Sequence, residues 1–246
     1  KDGKPLNLTP KVNKNIQGNY YKKWIDSDKT KFEPTDEDIK CELQLQALNF
    51  WEPLAFKIDV SHFMKEVKAL DGRWVPYLRR EGLLNDREGI SLMGLPNATM
   101  EEGLSMPEAC KKAGRRLSET EFNTPTEAYD MLPSLHNLLD YFQPLGRTML
   151  VKANAGGFFP PHKDHPHLTR DTFRVVAFPS WNVTKDEFDW EMENTKVPIK
   201  PGGVYYCDTR KTHRTACWVP DSIHLILNIP KTWENVIKLM SMTKAF

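Results

Sequence analysis

Short apolar runs separated by turn residues fill the C-terminal half of this 246-residue chain, and they constrain its fold more than any other feature. The runs cover residues 147–154, 172–180, 203–208 and 222–229. Gly-Gly, Pro-Gly and Pro-Asp pairs lie between some of them and favour turns. Short strands at this spacing predict an antiparallel sandwich or barrel rather than alternating strands and helices.

The preceding residues predict elements that surround this β core. A half-buried strand is indicated by the single-residue alternation of Leu54, Phe56, Ile58 and Val60. Residues 132–142 carry an apolar stripe at helical spacing, whereas residues 1–40 are polar and interrupted by prolines. We therefore expect a mainly β fold with flanking helices, made of an N-terminal arm over residues 1–40 and a single domain over residues 41–246.

The charge balance gives no reason to expect a nucleic-acid or membrane partner. Lys and Arg number 34 against 33 Asp and Glu, a formal net charge of +1, so no general attraction to polyanions is built in. No apolar run approaches the roughly 18 residues that a membrane span needs. The four cysteines lack CxxC spacing and do not make a disulfide framework in a chain of this length. We expect a reduced, cytoplasmic protein.

Candidate metal ligands are concentrated in one short segment, residues 160–167. Side chains two positions apart on a strand face the same way, so His162 and Asp164 can reach one metal ion while Lys163 points away. His213, at the end of a later strand, can supply a third ligand. Two imidazoles and one carboxylate on one face of an octahedron leave three positions open, which is the facial triad of non-haem Fe(II) oxygenases.

Further features stand in a fixed order around these residues. A strand precedes the Pro-Pro-His-x-Asp turn, a strand bearing Arg174 follows it, and then come a Gly-Gly strand, His213 and a closing strand. In this order the chain resembles the aspartyl/asparaginyl β-hydroxylase family and is similar to its bacterial free-proline hydroxylases. The resemblance implies a double-stranded β-helix, a cupin-like jelly roll, with its catalytic core at residues 147–229. It also implies Fe(II) held by His162, Asp164 and His213, 2-oxoglutarate as cosubstrate, and hydroxylation of an amino-acid side chain, free or in a peptide.

The chain departs from this family where an arginine is expected to pair with the distal carboxylate of 2-oxoglutarate. Ser222 takes that place, and a hydroxyl offers no charge and no bidentate geometry. Arg174 is the best substitute because strand parity turns it toward the cavity; its alternative is an ion pair with Asp171. His224, which shares the parity of Ser222, and Lys152 are further candidates. The alternatives are that His224 is a buried core histidine and that Lys152 is a solvated surface lysine.

Two other functions fit the same residues. A cupin-like metalloenzyme uses the triad without 2-oxoglutarate, and the missing arginine is the reason to consider it. A non-catalytic sensor retains the metal site alone. Succinate formation from 2-oxoglutarate distinguishes the leading hypothesis from both.

Overall fold

Two antiparallel sheets make up the C-terminal half of the fold. The structure, a computed structural model, describes residues 33–77, 87–164, 169–184 and 186–243. The core of the larger sheet consists of β5 (Thr148–Ala153), β7 (Thr172–Ala177), β10 (Gly203–Cys207) and β12 (Ser222–Pro230). Their order across the sheet is β10-β7-β12-β5. All four strands lie within the apolar runs of the sequence or within one residue of their ends.

The smaller sheet is built from the strands that alternate with these along the chain. It contains β6 (Phe158–His162), β8 (Phe188–Met192), β9 (Thr195–Lys196) and β11 (His213–Cys217). Their order is β6-β11-β8-β9, and every pair is antiparallel. A chain that crosses repeatedly between two facing sheets is a double-stranded β-helix. The predicted mainly β, cupin-like jelly roll is therefore confirmed.

Strands from the N-terminal half extend the larger sheet at both edges. β1 (Trp51–Lys57) pairs with β10, and β3 (Arg87–Gly94) pairs with β5. Two short strands, β2 (Val75–Pro76) and β4 (Thr124–Pro125), pair with β3. The predicted strand at 54–60 is too long, because the side chain of Asp59 caps a helix and ends the extended stretch.

Six helices and three single turns of 3₁₀ helix accompany the sheets in the described residues. The helices are α1 (Asp36–Gln46), α2 (Val60–Glu66), α3 (Met106–Ala113), α4 (Glu127–Asp130), α5 (His136–Tyr141) and α6 (Trp233–Met242). The 3₁₀ turns are Val67–Leu70, Glu119–Glu121 and Pro133–Leu135. The stripe predicted at 132–142 is the last of these turns followed by α5.

The outer face of the larger sheet is covered by helices, which is why its strands read as continuous apolar runs. Buried residues of α1, α2, α5 and α6 share one core with Leu150 of β5 and Leu225 of β12. Helix α1 spans the boundary predicted at residue 41, since Thr35 and Asp38 form a capping box that starts it at Asp36. The rest of the predicted arm, residues 1–32, lies outside the described residues. Among those that are described, no helix is both long and apolar enough to cross a membrane.

On the inner face of the larger sheet, the side chains of paired residues form rows that run across the strands. Arg174 and Asn228 form the first row. Val176, Ile226 and Met149 form the second. His224 and Val151 form the third, and Ser222, Ala153 and Arg87 the fourth. Consecutive rows are two residues, roughly 6.6 Å, apart along the strands.

Candidate metal centre

The three predicted metal ligands meet at one end of the cavity between the sheets. His162 ends β6 and His213 begins β11, and the two residues are register partners. Asp164 lies in the turn after β6, where its backbone N–H donates to the carbonyl of Thr209 at 2.8 Å. One ligand atom from each residue lies within 4.8 Å of the other two. The three residues could therefore hold one metal ion together.

Both histidines are held in the tautomer that leaves Nε2 available. Nδ1 of His162 lies 2.9 Å from the carbonyl oxygen of Pro160, and Nδ1 of His213 lies 2.9 Å from that of Lys211. A carbonyl only accepts hydrogen bonds, so each Nδ1 carries the proton and each Nε2 offers a lone pair. Burial lowers the pKa of His213 to about 4, which keeps it neutral near pH 7. The donor set fits a divalent metal ion.

Arg174 lies directly behind the carboxylate ligand. One Nη donates to Oδ2 of Asp164, while Nε and the other Nη donate to Oδ1 of Asn228 at 3.0 and 2.8 Å. Burial disfavours the charged guanidinium, but the carboxylate of Asp164 outweighs it and raises the pKa of Arg174. Arg174 lines the cavity, and its carboxylate partner is Asp164 rather than Asp171, which accepts from Arg170 at 2.6 Å.

The other predicted cosubstrate residues have separate positions. His224 lines the cavity, with its ring 5.4 Å from that of Phe188. Ser222 faces the same way but lies at the strand end, where its hydroxyl donates to the carbonyl of Asn182 at 2.6 Å and it does not line the cavity. Lys152 pairs with Glu88 at 2.6 Å and lies on the opposite face of β5 from Val151, outside the cavity. Ser222 and Lys152 therefore do not line this cavity.

Three charged residues that the sequence did not single out also line the cavity: Arg87, Arg147 and Glu119. Glu119 accepts from Nε and Nη2 of Arg147 at 2.6 and 2.9 Å, and both residues are buried. Arg87 lies with its guanidinium carbon 4.5 Å from the ring centre of Phe159. In the sequence, the one signal for Arg87 is that it shares strand parity with Gly89 and Ser91. The sequence does not show which strand lies beside it.

The buried imidazole of His224 makes the protein sensitive to acid. Burial, with a smaller contribution from the charge of Arg87, lowers its pKa from 6.5 to about 3. Below pH 6.5 the unfolded chain therefore binds a proton that the folded protein does not, and stability falls as the pH falls. Relative to His224→Leu, wild-type protein should lose up to about 1.4 kcal/mol of unfolding free energy per pH unit. Urea unfolding of metal-free protein from pH 7 to pH 5 measures this, and parallel pH profiles for the two proteins would contradict it.

Comparison with known proteins identifies no family for this chain. No protein-family model and no curated protein matches the chain. Among solved structures, it is similar to a prolyl-4-hydroxylase of Pseudomonas putida, at 11% identity and a TM-score of 0.43 over 77% of this chain and 97% of that one. The viral collagen prolyl hydroxylase of Paramecium Bursaria Chlorella virus-1, solved as its 2OG complex, gives 11% and 0.41 over 74% and 96%. A predicted oxalate decarboxylase of Thermotoga maritima gives 19% and 0.28 over 40% and 76%.

Fold and site together define a class: a mainly β, cupin-like jelly-roll protein with a candidate His-Asp-His metal centre in its cavity. The function has to be argued from the residues of the site.

Proposed function

We propose that this chain is an Fe(II)- and 2-oxoglutarate-dependent oxygenase that hydroxylates an amino-acid side chain, free or in a peptide. Membership of the aspartyl/asparaginyl β-hydroxylase family is part of the proposal. So is a cytoplasmic setting, which four unpaired cysteines support. We propose no nucleic-acid or membrane partner. The observation that carries the proposal is the cluster of His162, Asp164 and His213 at one end of a cavity enclosed by the two sheets.

The three ligand residues come from one side of the cavity, which leaves the other side of a bound ion facing its interior. When bound, Fe(II) with a 2-oxo acid supplies the oxidising chemistry that inserts oxygen from O₂ into a C–H bond. His162 and His213 present their Nε2 atoms, and Asp164 brings a carboxylate. Apolar side chains along the cavity, including Phe159 and Trp190, exclude bulk water from the reacting groups.

Arg174 has a positioning role in this scheme. Its guanidinium joins Asp164 to Asn228 and so fixes the orientation of the carboxylate ligand. Outer partners of metal ligands commonly matter for affinity or activity. Because Arg174 belongs to the first register row, its head lies at the level of the metal rather than deeper in the cavity.

The direct test is succinate formation from 2-oxoglutarate by protein loaded with Fe(II) under air. The reaction is run with free amino acids, including proline, and separately with peptides that contain them, and products are examined for the gain of one oxygen. Succinate that depends on both iron and one substrate supports the proposal. If 2-oxoglutarate is never consumed, the cupin-like alternative takes precedence. The observation that favours this alternative is Ser222 at the position where an arginine is expected.

Arg174→Ala should lower kcat/KM for 2-oxoglutarate by about 10- to 100-fold, since Asp164 loses the donor that orients it. Arg174→Lys should recover only part, because an ammonium keeps the charge but cannot bond Asp164 and Asn228 in one plane. Steady-state succinate formation measures both variants. Unchanged kcat and KM in Arg174→Ala would exclude the positioning role.

A further inference from the structure

The cavity also contains an arginine and a histidine that the metal centre does not use, at register positions away from the first row. Arg87 and His224 line it from neighbouring rows of the larger sheet, and they are only 7% and 8% exposed. They lie on different strands, β3 and β12, separated by β5. The cavity thus has charged or polar groups at two levels, with Val176, Ile226 and Met149 in the row between them.

The depth of these two residues is set by the register. His224 precedes Asn228 by four residues on β12, so it lies roughly 13 Å further along the strand than the partner of Arg174. The long side chain of Arg87 reaches back toward the metal centre. Its guanidinium lies 4.5 Å from the ring centre of Phe159, and that ring is 4.0 Å from the ring of His162. Only one aromatic ring therefore separates Arg87 from a candidate metal ligand.

The chemistry of the pair suits an anion. Nδ1 of His224 is buried and has no hydrogen-bond partner among the described residues, whereas buried polar atoms are normally bonded. Its imidazole is neutral, because burial and then the charge of Arg87 keep its pKa near 3. It can donate one hydrogen bond without adding charge. A guanidinium and such a donor on the wall of one cavity, among apolar side chains, match the planar oxygens of a carboxylate.

We propose that Arg87 and His224 form a carboxylate subsite that takes the distal carboxylate of a 2-oxo diacid chelated at the metal centre. The identity of that ligand rests on the proposed function. A five-carbon diacid has about the length of one row spacing, roughly 6.6 Å. It is shorter than the roughly 13 Å between the two backbone levels, but the side chain of Arg87 reaches the ring of Phe159, next to His162, and shortens the gap that the ligand has to bridge. This subsite takes over the role of the arginine whose position Ser222 occupies in this chain. The distal carboxylate is then bound by Arg87 and His224 rather than by Arg174.

The test compares two ligands that differ only in the distal carboxylate, 2-oxoglutarate and 2-oxopentanoate. Their binding to protein loaded with Mn(II), which resists oxidation, is measured by titration calorimetry without turnover. Wild-type protein should prefer 2-oxoglutarate by roughly 10- to 100-fold, the range for a hydrogen bond to a charged group. Arg87→Met should remove the preference while leaving affinity for 2-oxopentanoate unchanged, and that unchanged affinity also reports an intact site. Arg87→Lys should restore part of the preference, and His224→Leu should reduce it less.

Lys152→Met is the matched control, because it removes a positive charge from the same sheet on the face away from the cavity. It should keep the wild-type preference. Equal affinity of wild-type protein for the two ligands, or a preference that survives in Arg87→Met, would overturn the subsite.

The subsite and the proposed function can fail separately. If neither 2-oxo acid binds, the proposed cosubstrate is wrong, and pentanoate, which carries only a carboxylate, then tests the subsite alone. Thermal stabilisation of wild-type protein by pentanoate that is lost in Arg87→Met supports a carboxylate subsite for another ligand, such as the substrate. Absence of stabilisation in wild-type protein overturns it.

Discussion

Asp164→Ala is expected to abolish metal-dependent turnover, with a loss of at least about 100-fold. Removing a hydrogen-bond partner of a metal ligand already costs about 10- to 100-fold in affinity or activity, and removing the ligand itself should cost more. The carboxylate is the one negative charge in the cluster, and it is 4% exposed. Its removal leaves two imidazoles to hold a divalent ion. Binding of Mn(II) followed by calorimetry, together with succinate formation, measures the two consequences.

The structure adds a complication that a matched pair of variants resolves. Asp164 also accepts from Arg174, so Asp164→Ala leaves a buried guanidinium without that carboxylate. Asp164→Asn keeps an oxygen acceptor in place and should lose metal binding with less loss of stability. Glu191→Ala is the control, since it removes a carboxylate paired with Arg214 on the same sheet as the histidines. If Asp164→Asn binds Mn(II) with wild-type affinity, Asp164 is not a metal ligand and the proposed triad is wrong.

The larger sheet was readable from the sequence because its strands are buried on both faces. A strand such as Thr148–Ala153 is a nearly continuous apolar run, and such runs stand out without any knowledge of partners. The strands of the smaller sheet do not stand out as apolar runs, for the opposite reason. Phe158–His162 contains two prolines, and His213–Cys217 contains little apolar surface. Phe188–Met192 does alternate between buried and half-buried residues, and that pattern was available.

The candidate ligands were found, although one step of the reasoning differs from the structure. Strand β6 ends at His162, so Asp164 reaches the cluster from the following turn and not by strand parity. The sequence left open whether Lys152 faces the cavity or the solvent, because Met149, Leu150 and Val151 are all apolar and do not show which face of their strand is the inner one. The role of Arg87 depends on its pairing with Ala153, a contact between residues far apart in sequence. Spacing along the chain carries no information about such a contact.

The buried pair of Glu119 and Arg147 is expected to dominate the stability of the cavity wall. Glu119 is 1% and Arg147 6% exposed, and the guanidinium also donates to the carbonyl of Leu104 at 2.6 Å. Burial opposes the charge of Arg147, but the carboxylate of Glu119 prevails and raises its pKa. Glu119→Gln should therefore lower the unfolding free energy by about 3–5 kcal/mol, the usual cost of leaving one buried charge uncompensated. Urea unfolding at neutral pH measures it.

A surface pair in the same part of the chain provides the comparison. Glu102 lies 2.7 Å from Lys112, but the two side chains are 42% and 73% exposed. Glu102→Gln should change stability by less than about 1 kcal/mol, because solvent screens exposed charges. The double variant Glu119→Leu/Arg147→Met should be closer to wild type than Glu119→Gln, since it removes both charges and leaves none to compensate. If Glu119→Gln is as mild as Glu102→Gln, the charge of Arg147 is balanced by other groups, and the pair does not hold this wall of the cavity together.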